Sequence, residues 1–184
     1  MSETHRTLSG TEAKRLHRDW RRRTERVVSL VLDNVQTPFN VGSIVRTAAS
    51  FRVEHLYIVG AAAITPDHQK SKKTSLGTER LVPWSEHAAI GDALASVRAA
   101  GQRVVGIELA TGGRPLHEVV AGVEPVCLVV GHEDRGLSAG ALASCDAVGF
   151  IPTPGKVGSL NVAVAAAIAL YEVRRAEWTV PPAP

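Results

Sequence analysis

Five short runs rich in valine, isoleucine and leucine, separated by helical segments, constrain this chain most. They are Val27 to Leu32, His55 to Val59, Arg103 to Glu108, Pro125 to Val130 and Ala147 to Ile151. Apolar content that is nearly continuous, rather than alternating, suits strands buried on both faces of a parallel sheet. Between them the spacing predicts helices over Val41 to Phe51, His87 to Ala100 (ending at Gly101) and Ser138 to Ser144, with a last helix from Ser159 to about Glu177. Leu81 to Pro83 can add one short strand. This βα rhythm predicts one α/β domain, a mostly parallel sheet with helices on both faces.

The organisation that follows is a basic, partly helical arm over 1–26, a domain over 27–177 and a tail over 178–184. Residues 1 to 10 read as disordered. Residues 11 to 25 read as a polar helix in which Leu16 and Trp20, at i and i+4, dock on the body. At 184 residues the chain can bury a proper core without staples. Neither Cys127 nor Cys145 sits in a CxxC pair, so both read as reduced core residues. MSETHRTLSG lacks the apolar core of a signal peptide, and no uncharged run approaches membrane-spanning length. The expectation is a cytoplasmic protein with no membrane partner.

A net charge of +3 says little until it is mapped. Residues 14 to 26 hold seven basic residues, Lys14, Arg15, Arg18, Arg21, Arg22, Arg23 and Arg26, against Asp19 and Glu25, so the rest of the chain is net acidic. An arm this one-sided favours a polyanionic partner over a merely solvated helix face, with Arg15, Arg18, Arg21, Arg22 and Arg23 as candidate contacts. The loop from Ala61 to Arg80 is long for a compact domain and carries Lys72, Lys73, Thr74 and Ser75. It reads either as a mobile basic lid or as a plain surface loop.

Three further segments carry the chemistry. NVGSIVRTA begins at Asn40 after one strand, GHEDRGLS begins at Gly131 after another, and SLN at Ser159 opens the final helix behind a Pro- and Gly-bearing loop. Ser159 is well placed as an N-cap or as a polar contact at the helix's positive end. No G-x-G-x-x-G opens a helix, Gly155 and Lys156 do not complete a P-loop, and the histidines are scattered. A dinucleotide fingerprint and an NTPase are therefore poor readings, and no metal site is expected.

In this order the three segments resemble the motifs of the SPOUT superfamily, in its TrmH-like branch of RNA ribose 2′-O-methyltransferases, over roughly residues 27 to 175. The resemblance implies a C-terminal trefoil knot whose loops hold S-adenosylmethionine. By motif position the adenosine would meet backbone at Gly131, Ile151 and Leu160, with Leu109 and Ala110 walling the pocket and Ser159 near the methyl donor. Arg46 would activate the 2′-hydroxyl. An arginine stays protonated, so a phosphate clamp and alkoxide stabiliser is the more physical role than a base. Asn40 and Glu133 would orient substrate or Arg46, although an N-cap and an exposed loop carboxylate are their plain alternatives. Ser159 and Asn161 complete the catalytic set. Similar loops in that family face RNA, which favours the lid for Ala61 to Arg80.

The expected substrate is tRNA rather than rRNA, because a short basic arm stands where rRNA-modifying relatives often carry a further RNA-binding domain. An rRNA methylase, including one conferring antibiotic resistance, and an inactive RNA-binding protein of the same fold are the alternatives. A homodimer is expected through the final helix, where LNVAVAAAIALY from Leu160 to Tyr171 is apolar on nearly every face.

Overall fold

The computed structural model describes residues 5–179. Seven strands form one sheet: β1 (Val28–Asp33), β2 (Leu56–Val59), β3 (Trp84–His87), β4 (Arg103–Ile107), β5 (Arg114–Pro115), β6 (Val126–Val130) and β7 (Ala147–Phe150). Their order is β3-β2-β1-β6-β4-β7-β5, and every pair is parallel. β1 and β6 are buried at every position, which is why they read as unbroken apolar runs.

Seven α-helices occur among the described residues: α1 (Gly10–Arg22), α2 (Pro38–Ser50), α3 (Gln69–Ser75), α4 (Ile90–Ala99), α5 (Leu116–Val119), α6 (Ala139–Ser144) and α7 (Val162–Thr179). One core packs α2, α5 and α7 against Leu30, Leu32, Ile58 and Leu128. A second packs α4 and α6 against Val31, Tyr57, Val104 and Val129 on the opposite face. Cys127 lies in that second core, and both cysteines are free thiols. No helix among the described residues is long and apolar enough to cross a membrane.

Several expectations need correction. The strand placed at Leu81 to Pro83 forms instead at Trp84–His87, in register with β2 from Leu56↔Trp84 to Val59↔His87. Leu81 is left exposed beside it. The Ala61 to Arg80 segment is not an open lid. It folds into α3 and a 3-10 turn (Thr78–Arg80) that pack on α2. A Cβ at Gly42 would stand 2.1 Å from both the Ser71 carbonyl and Thr74 Oγ1, so this motif glycine permits the close helix approach. Ser75 is buried and donates its hydroxyl to Glu79, which removes it as an RNA contact. Thr74 is half-buried and donates to the Phe39 and Ser71 carbonyls, while Lys72 and Lys73 are exposed.

At the N-terminus, order begins earlier than expected. Ser9 caps α1 in a reciprocal capping box with Glu12, and Arg6 pairs with Glu12. Trp20 does dock: its ring packs 4.8 Å from Trp178, and Arg23 lies over it at 4.6 Å. Leu16 does not dock and is exposed. The helix α7 runs to Thr179, so the expected tail from 178 loses its first two residues to it; 180–184 lie outside the described residues.

A buried polar latch joins these parts. The Arg174 guanidinium donates to the carbonyls of Arg26, Phe51 and Arg52 and to Glu177, so α7 grips both the arm and the end of α2. Arg26 is buried too, donating to the Glu124 and Val120 carbonyls, and is not free for a polyanion.

The final helix is not wrapped by the core. Ala166, Ala169, Leu170 and Val173 are fully buried, whereas Val164 (47%), Ile168 (38%) and Tyr171 (51%) are exposed. Their spacing puts them on one outward stripe. Ala166 faces inward and lies off that stripe.

Candidate active site

The site gathers at the C-terminal ends of β1, β4, β6 and β7, where parallel α/β sheets place their ligands. A cavity of about 490 Å³ opens there. All six residues expected to hold a cofactor, Leu109, Ala110, Gly131, Ile151, Ser159 and Leu160, line it. So do Glu133 and the acidic pair Glu108 and Asp134, with Arg135 opposite in sign. The volume lies within the range of small-molecule sites.

Gly131 is also required by the shape of its own loop. A Cβ there would meet the Gly136 carbonyl carbon and oxygen at 2.2 Å and the Leu137 nitrogen at 2.4 Å. The glycine therefore lets its own loop fold tightly, closed by paired backbone bonds between His132 and Gly136. Its backbone also forms cavity wall.

Beside the cavity, hydrogen bonds join the three motifs. The Asn40 Nδ2 donates to Glu133 Oε1 at 3.0 Å, and the Asn161 Nδ2 donates to Asn40 Oδ1 at 3.0 Å. The Asn161 Oδ1 in turn accepts from the backbone of Ala163 (2.9 Å) and Val164 (3.3 Å), capping α7. Asn161, not Ser159, is thus the N-cap. Among the described residues the Ser159 hydroxyl makes no hydrogen bond, and it is exposed on the cavity lining.

Glu133 holds the entry to α2 as well, accepting from the backbone of Gln36 (3.3 Å) and Thr37 (2.9 Å). Burial pushes its carboxyl up, but the bonds from Asn40 and Thr37 outweigh that and hold it down at about 2. It is an ionised anchor at neutral pH, not a proton acceptor. Its plain alternative as a loop carboxylate is excluded by these bonds. Among the described residues no ion pair joins it to Arg46.

Arg46 stands apart. It lies six residues along α2 from Asn40, exposed, without an ion pair among the described residues, and it does not line the cavity of its own chain. Lys72 and Lys73 on the adjoining α3 are likewise exposed, as are Arg15, Arg18, Arg21, Arg22 and Arg23 on and after α1. No group of three or more His, Cys, Asp or Glu side chains among the described residues could hold a metal ion.

The model of the family described as "SpoU rRNA Methylase family" matches residues 27–171. The chain belongs to the SpoU rRNA methylase family. It is 31% identical over 150 residues to the tRNA (guanosine(18)-2′-O)-methyltransferase of Escherichia coli K12, covering 80% of this chain and 63% of that one. The chain spans between 46% and 63% of the curated relatives it matches. Among solved structures, the SpoU methyltransferase AviRb of Streptomyces viridochromogenes in complex with AdoMet superposes with a TM-score of 0.75 at 30% identity, over 84% of this chain and 59% of that one. Another, described for 2-OH methylation of C/U34 on tRNA, superposes with a TM-score of 0.73 at 32% identity, over 82% of this chain and 96% of that one. The SpoU fold, the motif resemblance and the parallel α/β architecture read from the sequence are borne out. Among the residues that sequence reasoning missed in this SpoU cavity is Glu108, which directly follows β4 and belongs to no motif.

Proposed function

We propose that this chain is an S-adenosylmethionine-dependent RNA ribose 2′-O-methyltransferase that acts on tRNA. The observation that carries the reading is the hydrogen-bonded series Glu133–Asn40–Asn161, which locks the three motifs together beside the cavity. The residues present suit the cofactor. Apolar walls from Leu109 and Ile151 fit an adenine plate, and exposed backbone at Leu160 offers hydrogen bonds to its edge. Membership of the SpoU family also supports the C-terminal knot as the device that gathers these loops.

The bound cofactor supplies a methyl group already activated by its sulfonium. The protein's own work is to position a ribose hydroxyl and to stabilise the charge that develops on its oxygen. Arg46 does this as a planar, permanently charged donor fork that also grips a neighbouring phosphate. Asn40, held from both sides, fixes the start of the helix that carries Arg46. Ser159 and Asn161 offer polar contacts at the opening of α7. Because Arg46 lies outside its own chain's cavity, a homodimer through the exposed stripe of α7 completes the site, one chain's arginine serving RNA bound by the other.

The tRNA substrate is supported by the basic arm and by the relatives whose described reactions are on tRNA. The deciding experiment is methyl transfer from labelled S-adenosylmethionine to bulk tRNA and to rRNA. Label in tRNA ribose is the expected result. Label in rRNA alone moves the substrate to the alternative, and none in either leaves an RNA-binding protein without turnover.

A further inference from the structure

Glu108 directly follows β4, and its carboxylate clamps two walls of the cavity together. Its Oε1 accepts from the backbone of Leu109 at 2.9 Å, and its Oε2 accepts from Leu137, 29 residues away, at 3.0 Å. Gly136, at φ +66°, makes room for it: a Cβ there would stand 2.0 Å from Oε2. The side chain is therefore fixed before any ligand arrives, which is how a recognition group gains affinity without an ordering cost.

The clamp does not exhaust its capacity. An ionised carboxylate has about four acceptor sites, and the two backbone N–H groups use two. Among the described residues no Lys, Arg or His pairs with it. Glu133, the other carboxylate hydrogen-bonded at the cavity, already accepts three N–H bonds. The lining also carries Ile107, Leu137, Leu142, Phe150 and Ile151. Their apolar side chains suit the faces of a flat base and leave the sugar beside it to polar groups. What adjoins a base in a nucleoside is a sugar with two neighbouring hydroxyl donors, and a carboxylate with two spare acceptors matches that pair.

We infer that Glu108 recognises the vicinal ribose hydroxyls of the adenosine moiety, and so makes this pocket select a ribonucleoside ligand. The inference rests on the cofactor reading above and adds a residue outside its three motifs. Glu108 is a specificity residue here, remote from the reacting methyl.

Calorimetry on the purified full chain, with S-adenosylhomocysteine and its 2′,3′-dideoxy analogue, tests it. Wild type is expected to favour the diol ligand about tenfold or more, since hydrogen bonds to a charged group are the strong ones. Glu108→Gln should bring the two ligands within about twofold of each other, whatever its absolute affinity, and Glu108→Asp should keep part of the preference. A purely structural clamp weakens both ligands together and leaves their ratio unchanged; that result, or a wild type indifferent to the diol, overturns the inference while leaving the cofactor reading standing. A folded wild type that binds neither ligand overturns the cofactor reading itself.

Discussion

Asn161 donates its side-chain amide to Asn40 Oδ1 at 3.0 Å across 121 residues of sequence, while its own Oδ1 caps α7. One side chain thereby sets the start of the last helix relative to the start of α2. Asn40 passes the constraint on to Glu133, so the loop after β6 is held in the same frame.

This frame should be sensitive to acid. Glu133 is held at about 2, below the ordinary carboxylate value near 4.5, so its stabilisation is fully present above about 4.5 and lost as pH falls towards 2. Wild type should exceed Glu133→Gln in stability by roughly 1 to 2 kcal/mol at pH 7, a figure reduced for solvent screening, and the gap should close between about pH 5 and pH 2. Asn40→Asp should cost more activity than Asn40→Ala at neutral pH, because it sets a second carboxylate where Glu133 had a donor. Denaturant melts across pH, with methyl-transfer rates at pH 7, check both; a gap that stays constant across pH would mean that ionisation of Glu133 contributes nothing.

Arg46→Ala should lower methyl transfer by about 10² to 10³ while leaving S-adenosylhomocysteine affinity intact, as expected for one electrostatic contact made in the transition state. Arg46→Lys should recover little of it, because a point charge does not reproduce a two-pronged fork. Single-turnover rates alongside calorimetry separate the two quantities. Near-wild-type turnover in the alanine variant would remove Arg46 from the mechanism.

How far the sequence spoke for itself varied with the physics of each element. β1 and β6 announce themselves because burial on both faces demands an unbroken apolar run. β5 is two residues, Arg114–Pro115, paired only with β7, and nothing local marks it. The helix α3 is QKSKKTS, polar throughout; it folds because Gly42 lets it sit against α2, a tertiary cause invisible to periodicity. Ser159 and Asn161 are both good N-cap residues two positions apart, and only the backbone path decides between them. The six residues proposed for the cofactor came from the family resemblance, and the fold brings them to one cavity. Glu108 was not among them, because its partner Leu137 lies 29 residues on and the pairing exists only in the folded chain.

The arm should act through charge. Deleting 1–26 is a poor test, because Arg26 is buried and its backbone amide donates to Glu177 at 2.6 Å. Substituting Arg15, Arg18 and Arg22 together by Gln leaves the Trp20–Trp178 contact in place. If each contacts a phosphate, the logarithmic salt slope of tRNA binding should fall by roughly 2 to 3. Titrations at several salt concentrations measure it, and an unchanged slope would make α1 a solvated face.

The dimer is tested on the outward stripe of α7. Val164, Ile168 and Tyr171 are spaced to form one exposed apolar strip, and Tyr171 packs edge-on to Phe51, 6.3 Å between centroids, at the end of α2. A strip of this kind on a domain surface calls for a partner, and a twofold pairing covers it with one self-complementary surface. Ile168→Arg should therefore yield a folded monomer by sedimentation, with cofactor affinity kept and methyl transfer lost. Ala166→Arg is the contrasting control: its side chain has no exposure, so an arginine there must disrupt the packing of α7 and cost several kcal/mol of fold stability. A wild type that sediments as a monomer with full activity would overturn the shared-site reading, and Arg46 would then have to reach RNA bound to its own chain.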